Sequence, residues 1–278
     1  MPKPLALSTN LARYTNTKQI YLGVDNVTNS INPRASLRLE SKKTFDHGLL
    51  VADFAHLPAK GCGMWPSFWV NHDPSKESGE PYSEIDILEN VNLDSRNWVS
   101  MYTSHKPCAL EDRNKGTGTV MGRDCWISLD GVSDSGEAAK RGCKTQAPEG
   151  TFGEEFNRKG GGVWGLQLET DGIRAWYFPR DNVPKDLATG SPDPEAWGKP
   201  VMEFGPGTCD VGAAWKKMRI IFNITFCGGW AGGAWGEKCR EKTGYAKCED
   251  YVGKHAEAFD EVHFLINSVK VFTRAGAV

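Results

Sequence analysis

The chain has 278 residues, with 33 Lys and Arg against 35 Asp and Glu and a net charge of −2. That balance leaves no basic excess to attract nucleic acid and no strong acidic field, and there is no apolar run of the roughly 18 residues a membrane-spanning helix needs. The length suits one large all-β domain or two small ones, and 31 Gly and 15 Pro fit many short strands meeting at turns.

In chain order, residues 1–8 hold no apolar run long enough for a signal peptide. Residues 19–24 read as a strand, followed by a polar loop with the N-glycosylation triplet Asn26-Val27-Thr28. Residues 35–40 alternate Leu37 and Leu39 with Arg38 and Glu40, a second strand. Residues 48–55 form a longer apolar run, expected at the centre of a sheet. Trp65 and Trp69 are four apart, so on a strand they share a face; both could equally be core.

Next comes Ser83-Glu84-Ile85-Asp86-Ile87-Leu88-Glu89-Asn90. Alternation along a strand puts Glu84 and Asp86 on one face and Ile85 and Ile87 on the other. It would then send Glu89 into the core and Leu88 outward. One extra residue at Ile87-Leu88, a β-bulge, restores the order and brings Glu89 to the face of the other acids. A retaining glycosidase needs two carboxyls about 5–5.5 Å apart, one nucleophile and one acid/base. Glu84 and Glu89 lie roughly 13 Å apart along an ideal strand, with the bulge discounted, and side chains leaning together close most of that gap. Acids this close raise at least one pKa, as a general acid at neutral pH requires. A solvated acidic face is the plainer reading, but it leaves the bulge-requiring pattern unexplained.

Residues 98–103 read as the next strand, and residues 108–156 as polar, Gly-rich loops with one or two short strands. Residues 160–165 fall within a GxGxxG match, but a strand follows where a dinucleotide site needs a helix. Trp164, Leu166 and Leu168 alternate with Gly165, Gln167 and Glu169, and a Thr170-Asp171-Gly172 turn leads to a return strand over 173–178. Residues 181–199 read as a long loop, 218–227 as a long strand, 249–258 as a short helix and 261–272 as the closing strand. Asn223-Ile224-Thr225 is a second glycosylation triplet, discounted because it falls mid-strand. No repeat or linker divides the chain, so residues 1–278 are taken as a single domain.

The eight cysteines are Cys62, Cys108, Cys125, Cys143, Cys209, Cys227, Cys239 and Cys248, with no CxxC and no HExxH. They are expected to form disulfides in an oxidising compartment, with local bridges favoured in the Cys227–Cys248 region. No metal and no cofactor is expected.

The acidic motif, together with Gly61-Cys62-Gly63-Met64-Trp65-Pro66-Ser67-Phe68-Trp69 before it, resembles glycoside hydrolase family 16, in particular the fungal endo-1,3(4)-β-glucanases or laminarinases. Ala175-Trp176-Tyr177-Phe178-Pro179-Arg180, Thr225-Phe226-Cys227-Gly228-Gly229-Trp230-Ala231-Gly232 and Cys248-Glu249-Asp250-Tyr251-Val252 extend the likeness, which runs from about Ile20 to Phe272. Strand pattern and resemblance together imply an all-β, antiparallel β-sandwich of jelly-roll type with a concave cleft.

The resemblance implies retaining endo-hydrolysis of β-1,3-glucan, with mixed β-1,3/1,4-glucan left open. Glu84 would be the nucleophile, Glu89 the acid/base, and Asp86 a hydrogen-bond partner of the nucleophile. Trp65, Trp69, Tyr102 and Trp230 would bind the sugar chain. Tyr102 stands where many relatives carry His, and a tyrosine donates a hydrogen bond but is no base near neutral pH. Ser83 and Asn90 stand where relatives often have Gly, and Asn is the side chain best suited to a left-handed position. The resemblance also implies a secreted or cell-wall protein, a monomer, whose relatives open with a signal and an aromatic-rich strand that this chain lacks. A cell-wall glucan transglycosylase on the same scaffold and a non-catalytic glucan-binding module are the alternatives.

Overall fold

The computed structural model describes residues 3–29, 33–113, 116–128 and 142–273. In chain order its strands are β1 (Ala12–Tyr14), β2 (Ile20–Leu22), β3 (Arg38–Phe45), β4 (Gly48–His56), β5 (Met64–His72), β6 (Ser83–Glu89), β7 (Arg96–Thr103), β8 (Glu111–Asp112), β9 (Thr119–Gly122), β10 (Cys143–Glu149), β11 (Gly162–Glu169), β12 (Gly172–Pro179), β13 (Met202–Gly205), β14 (Met218–Phe226) and β15 (Phe264–Phe272). They pair into an eight-stranded sheet, β1-β2-β15-β4-β11-β12-β13-β8, and a seven-stranded sheet, β3-β14-β5-β6-β7-β10-β9. The paired strands run antiparallel, as expected of a jelly-roll sandwich.

Alternation places one face of each sheet in a shared core. Phe54 on β4 and Phe264 on β15 meet Phe68 on β5 and Phe222 on β14 there, with Phe68 stacked 4.7 Å from Phe222 and Phe54 edge-on to Phe68 at 5.6 Å. Ile85, Ile87, Leu88, Val99 and Met101 of the seven-stranded sheet join the same core.

The eight-stranded sheet is buried on its other face as well. Leu49, Val51, Val163, Trp176 and Phe178 pack there against Leu187 and Trp197, which the 181–199 connection lays across the sheet. Burial on both faces explains why β4 reads as a continuous apolar run rather than an alternating one. β4 does lie at the sheet's centre, between β15 and β11. The β11–β12 hairpin forms as its sequence suggests, with Glu169 paired to Gly172 around Thr170 and Asp171.

Several elements depart from expectation. The stretch read as loops holds three strands, and one of them, β10, is seven residues long and fully within the sheet. A helix follows it at Gly153–Arg158. The 181–199 connection carries a short helix at Asp186–Thr189, and a further helix spans Gly236–Thr243. The expected helix over 249–258 is two pieces, Cys248–Lys254 and a tighter turn at Ala256–Phe259. Residues 129–141, inside the stretch read as loops, lie outside the described residues.

All eight cysteines are paired: Cys62–Cys239, Cys108–Cys209, Cys125–Cys143 and Cys227–Cys248. Cys227–Cys248 is the local bridge the sequence favoured, 21 residues apart, but Cys239 departs from that pattern by reaching Cys62 across 177 residues. The reason is packing: the lobe holding Cys239 and Cys248 sits directly on the turn before β5, so that a Cβ on Gly63 would come within 2.9 Å of Cys248 Sγ. Asn223, the discounted glycosylation triplet, has its amide engaged by Trp69 Nε1 and by Thr225.

Candidate active site

The site is built on β6 and its bulge. Against β5, Leu88 pairs with Phe68 and Asp86 with Trp69, which leaves Ile87 as the extra residue. Against β7, Asp86 pairs with Ser100 and Glu89 with Trp98, the same one-residue offset. Ile85, Ile87 and Leu88 are therefore all fully buried in the core, while Glu84, Asp86 and Glu89 stand together on the open face. Asn97, itself completely buried, fixes the bulge: its Oδ1 accepts from the Glu89 amide at 2.8 Å and its Nδ2 donates to the Ile87 carbonyl at 2.8 Å. These are the two backbone groups that the broken ladder would otherwise leave without partners.

Each acid has its own surroundings. The Tyr82 hydroxyl donates to Glu84, and Asp86 shares a side-chain hydrogen bond with Glu84. Glu89 Oε1 accepts from Trp65 Nε1 at 2.6 Å and from the Ser67 hydroxyl at 2.7 Å. Burial pushes Asp86 well above the usual carboxylate range, and the charges of Glu89 and Glu84 add to this. Burial also raises Glu84, but the hydrogen bonds from Tyr82 and Asp86 and the charge of Arg38 favour its anion. The proton of this pair therefore sits on Asp86, which donates it toward Glu84. Burial lifts Glu89 to about 7, with the bonds from Ser67 and Trp65 acting against it. Tyr82 and Tyr102 are both pushed up, first by burial and then by the neighbouring carboxylates, and so stay protonated donors.

The other expected site residues gather around this row. Trp65 and Trp69 share the open face of β5, half-buried, with the Trp69 indole donating to Asn223 Oδ1 at 2.6 Å and the Arg38 guanidinium 4.7 Å above its ring. Trp230, on the turn after β14, packs edge-on against Trp65 at 5.6 Å. Tyr102 on β7 pairs directly with Glu84. Its ring lies over the backbone of Gly142, where a Cβ would fall 2.4 Å from Cε1 and where φ is +104°; only glycine lets the ring lie there. Asn90 is not in a left-handed conformation. That position falls on Asn92, with φ 58°, while Asn90 accepts from the Val91 amide at 2.7 Å and donates to the Arg96 carbonyl.

Sequence reading missed six residues of this neighbourhood, among them Ser67, which donates to Glu89 and which alternation places on the face of Trp65 and Trp69. Tyr82 could have been found, because alternation places it on the face of Glu84. Trp98 could too, once the bulge fixed its pairing with Glu89. Arg38, Asn97 and Lys144 carry no local signal, since each acts across strands. Among the described residues no cluster of His, Cys, Asp and Glu is arranged to hold a metal ion.

Residues 2–272 match the family described as the XgeA-like, catalytic GH16 domain. An endo-1,3(4)-beta-glucanase of Arthroderma benhamiae is 38% identical over 98% of this chain and 58% of its own length. The endo-1,3(4)-beta-glucanase xgeA of Emericella nidulans is 33% identical over 98% of this chain and 42% of its own. The chain thus spans about half the length of these relatives. Among solved structures, laminarinase 16A from Phanerochaete chrysosporium superposes with a TM-score of 0.84 at 32% identity, covering 98% of this chain and 89% of the other. An elongating family 16 β-1,3-glucosyltransferase superposes with a TM-score of 0.85 at 35% identity, covering 98% and 89%. Fold, acidic row and these likenesses agree: the chain belongs to glycoside hydrolase family 16, in its XgeA-like branch.

Proposed function

We propose that the chain is a secreted, retaining endo-β-glucanase that cleaves β-1,3-glucan, with Glu84 as nucleophile, Glu89 as acid/base and Asp86 as the group that keeps Glu84 ionised. The observation that carries this reading is the division of protonation along β6. Glu84 receives hydrogen bonds suited to an anion, whereas Glu89 holds its proton up to about 7. Double displacement needs such a pair, one carboxylate to attack and one acid to protonate the leaving oxygen.

Glu84 attacks the anomeric carbon and forms a glycosyl ester as Glu89 gives its proton to the departing oxygen. The Glu89 carboxylate then takes a proton from water, which attacks the same carbon from the opposite side and frees Glu84. Trp65 and Ser67 hold the Glu89 carboxylate in place between these steps. The flat faces of Trp65, Trp69 and Trp230 suit stacking on sugar rings, and the Tyr102 hydroxyl suits donation to a sugar oxygen. The names of the fungal relatives and the laminarinase structure with 6-O-glucosyl-laminaritriose in its donor and acceptor sites support a β-glucan substrate. Four disulfides and these relatives support an extracellular setting.

Purified protein on laminarin, lichenan and cellulose, with the first-formed anomer followed by proton NMR, tests the reading. Cleavage of laminarin with a β-configured first product is expected; an α-configured first product or no cleavage would overturn it. The likeness to the elongating β-1,3-glucosyltransferase favours a second reading, transfer to a sugar acceptor. Longer products on addition of a laminari-oligosaccharide would select it over hydrolysis.

A further inference from the structure

One rung of the seven-stranded sheet runs from Ser67 on β5 through Glu89 on β6 and Trp98 on β7 to Gln146 on β10 and Thr119 on β9. Residues paired directly across antiparallel strands share a face, with Cβ atoms about 5 Å apart. Trp98 therefore stands on the open face as the immediate neighbour of Glu89. The Glu89 carboxyl leans the other way, toward Trp65 and Ser67 of β5, and leaves the β7 side of the rung to the Trp98 indole.

Of the ten tryptophans, Trp98 alone has, among the described residues, no hydrogen bond from its indole, no ring partner and no cation over its face. Trp65, Trp69 and Trp230 of the same cleft are all engaged, as are the tryptophans elsewhere. Trp98 is half-buried rather than core. Beside it, the half-buried Gln146 amide and the exposed Thr119 hydroxyl also make no hydrogen bond among the described residues. A flat apolar face with unused polar groups at its rim is what a sugar ring requires, since a pyranose is apolar on its faces and hydroxylated at its edge.

In the proposed reaction Glu89 protonates the oxygen that joins donor sugar to leaving sugar, so the leaving sugar lies against Glu89. On the β5 side the Trp65 N–H is committed to Glu89 and its ring to Trp230. On the β7 side the Trp98 face is open. We infer that Trp98, with Gln146 beside it, is the platform for the leaving glucosyl unit and for a sugar acceptor that enters in its place. When such an acceptor replaces water, its hydroxyl oxygen bonds to the anomeric carbon, its proton passes to the Glu89 carboxylate and the ester bond to Glu84 breaks. The inference rests on the proposed role of Glu89, and it makes the β7–β10 flank the acceptor side of the cleft.

Two substrates separate the sides: laminarin occupies both, whereas β-laminaribiosyl fluoride carries no leaving sugar. In Trp98→Ala, kcat/KM should fall about ten-fold more on laminarin than on the fluoride, and Trp98→Phe, which keeps a ring, should recover most of the difference. Transfer from the fluoride to added laminaribiose, relative to fluoride release, should fall by a similar factor in Trp98→Ala. A readout independent of turnover is the nitrogen–proton signal of the Trp98 indole, assigned with Trp98→Phe, which should shift as laminaribiose is added. Equal losses on laminarin and on the fluoride, or an indole signal that laminaribiose leaves unmoved, would overturn the inference. If Trp98→Ala fails to fold, Trp98→Thr takes its place with the same expected difference. If wild type cleaves neither substrate, the functional reading fails, and the indole signal still decides whether Trp98 meets a sugar.

Discussion

At the scale of single residues, Glu84 and Glu89 differ in what hydrogen-bonds to them, and the difference can be tested separately in each. Glu84→Ala should abolish glucan cleavage, at least 10³-fold on the scale of nucleophile loss. Glu89→Ala should be nearly inactive on laminarin yet retain turnover of an aryl β-glucoside whose leaving group needs no proton, and azide should accelerate that turnover. Azide acting on Glu84→Ala should give a product of opposite configuration, read by proton NMR.

Glu89 also ties activity to stability. Its folded pKa of about 7 lies above the ordinary 4.5, so the fold favours the protonated form. The stability this provides is fully present below the ordinary value and is lost as pH rises through 7. Activity that depends on the acid falls over the same upper range, giving an alkaline limb of kcat/KM near 7. Glu89→Gln still accepts from Trp65 and Ser67 but cannot ionise. It should therefore be more stable than wild type by about 3 kcal/mol near pH 8 and by little near pH 4, measured by denaturant unfolding.

At the scale of elements, the bulge in β6 depends on a residue from β7. Asn97→Ala would leave the Glu89 amide and the Ile87 carbonyl buried without partners. The expected loss is about 2–4 kcal/mol, together with a fall in kcat on laminarin, because Glu89 is carried by the amide that Asn97 holds. A loss of stability with kcat intact would separate the bulge from the site. Trp230 lies in the loop that Cys227 and Cys248 close. Changing both cysteines to Ser should cost about 3 kcal/mol from the unfolded chain's regained freedom. It should also raise KM for laminarin several-fold with kcat little changed, since the bridge orders a wall against Trp65 and touches none of the acids.

At the scale of the whole molecule, what the sequence revealed follows from which forces are local. The bulge at Ile87 was legible because three acids and three apolar residues within one strand admit a single arrangement of faces. The β11–β12 hairpin was legible from its two-residue turn. β10 was not: its sequence, Cys-Lys-Thr-Gln-Ala-Pro-Glu, is polar, and it becomes a strand because β7 and β9 pair with it on either side. Lys144 was hidden with it. Cys62–Cys239 was hidden because cysteine spacing says nothing of which lobes pack together. The fit of Tyr102 over Gly142 joins residues 40 positions apart, and no periodicity reaches that far.

The sheet edges bear on how copies of the molecule treat one another. Three of the free edges are β1, β8 and β9, of three, two and four residues, too short to template a neighbouring chain. The long one is β3, and along its eight residues it presents Arg38, Glu40, Lys42 and Lys43. A net charge of −2 supplies little mutual repulsion. Dispersal in concentrated solution is left to the margin of one strand, where a neighbour that tried to add itself to the sheet would meet the exposed Lys42 and Lys43.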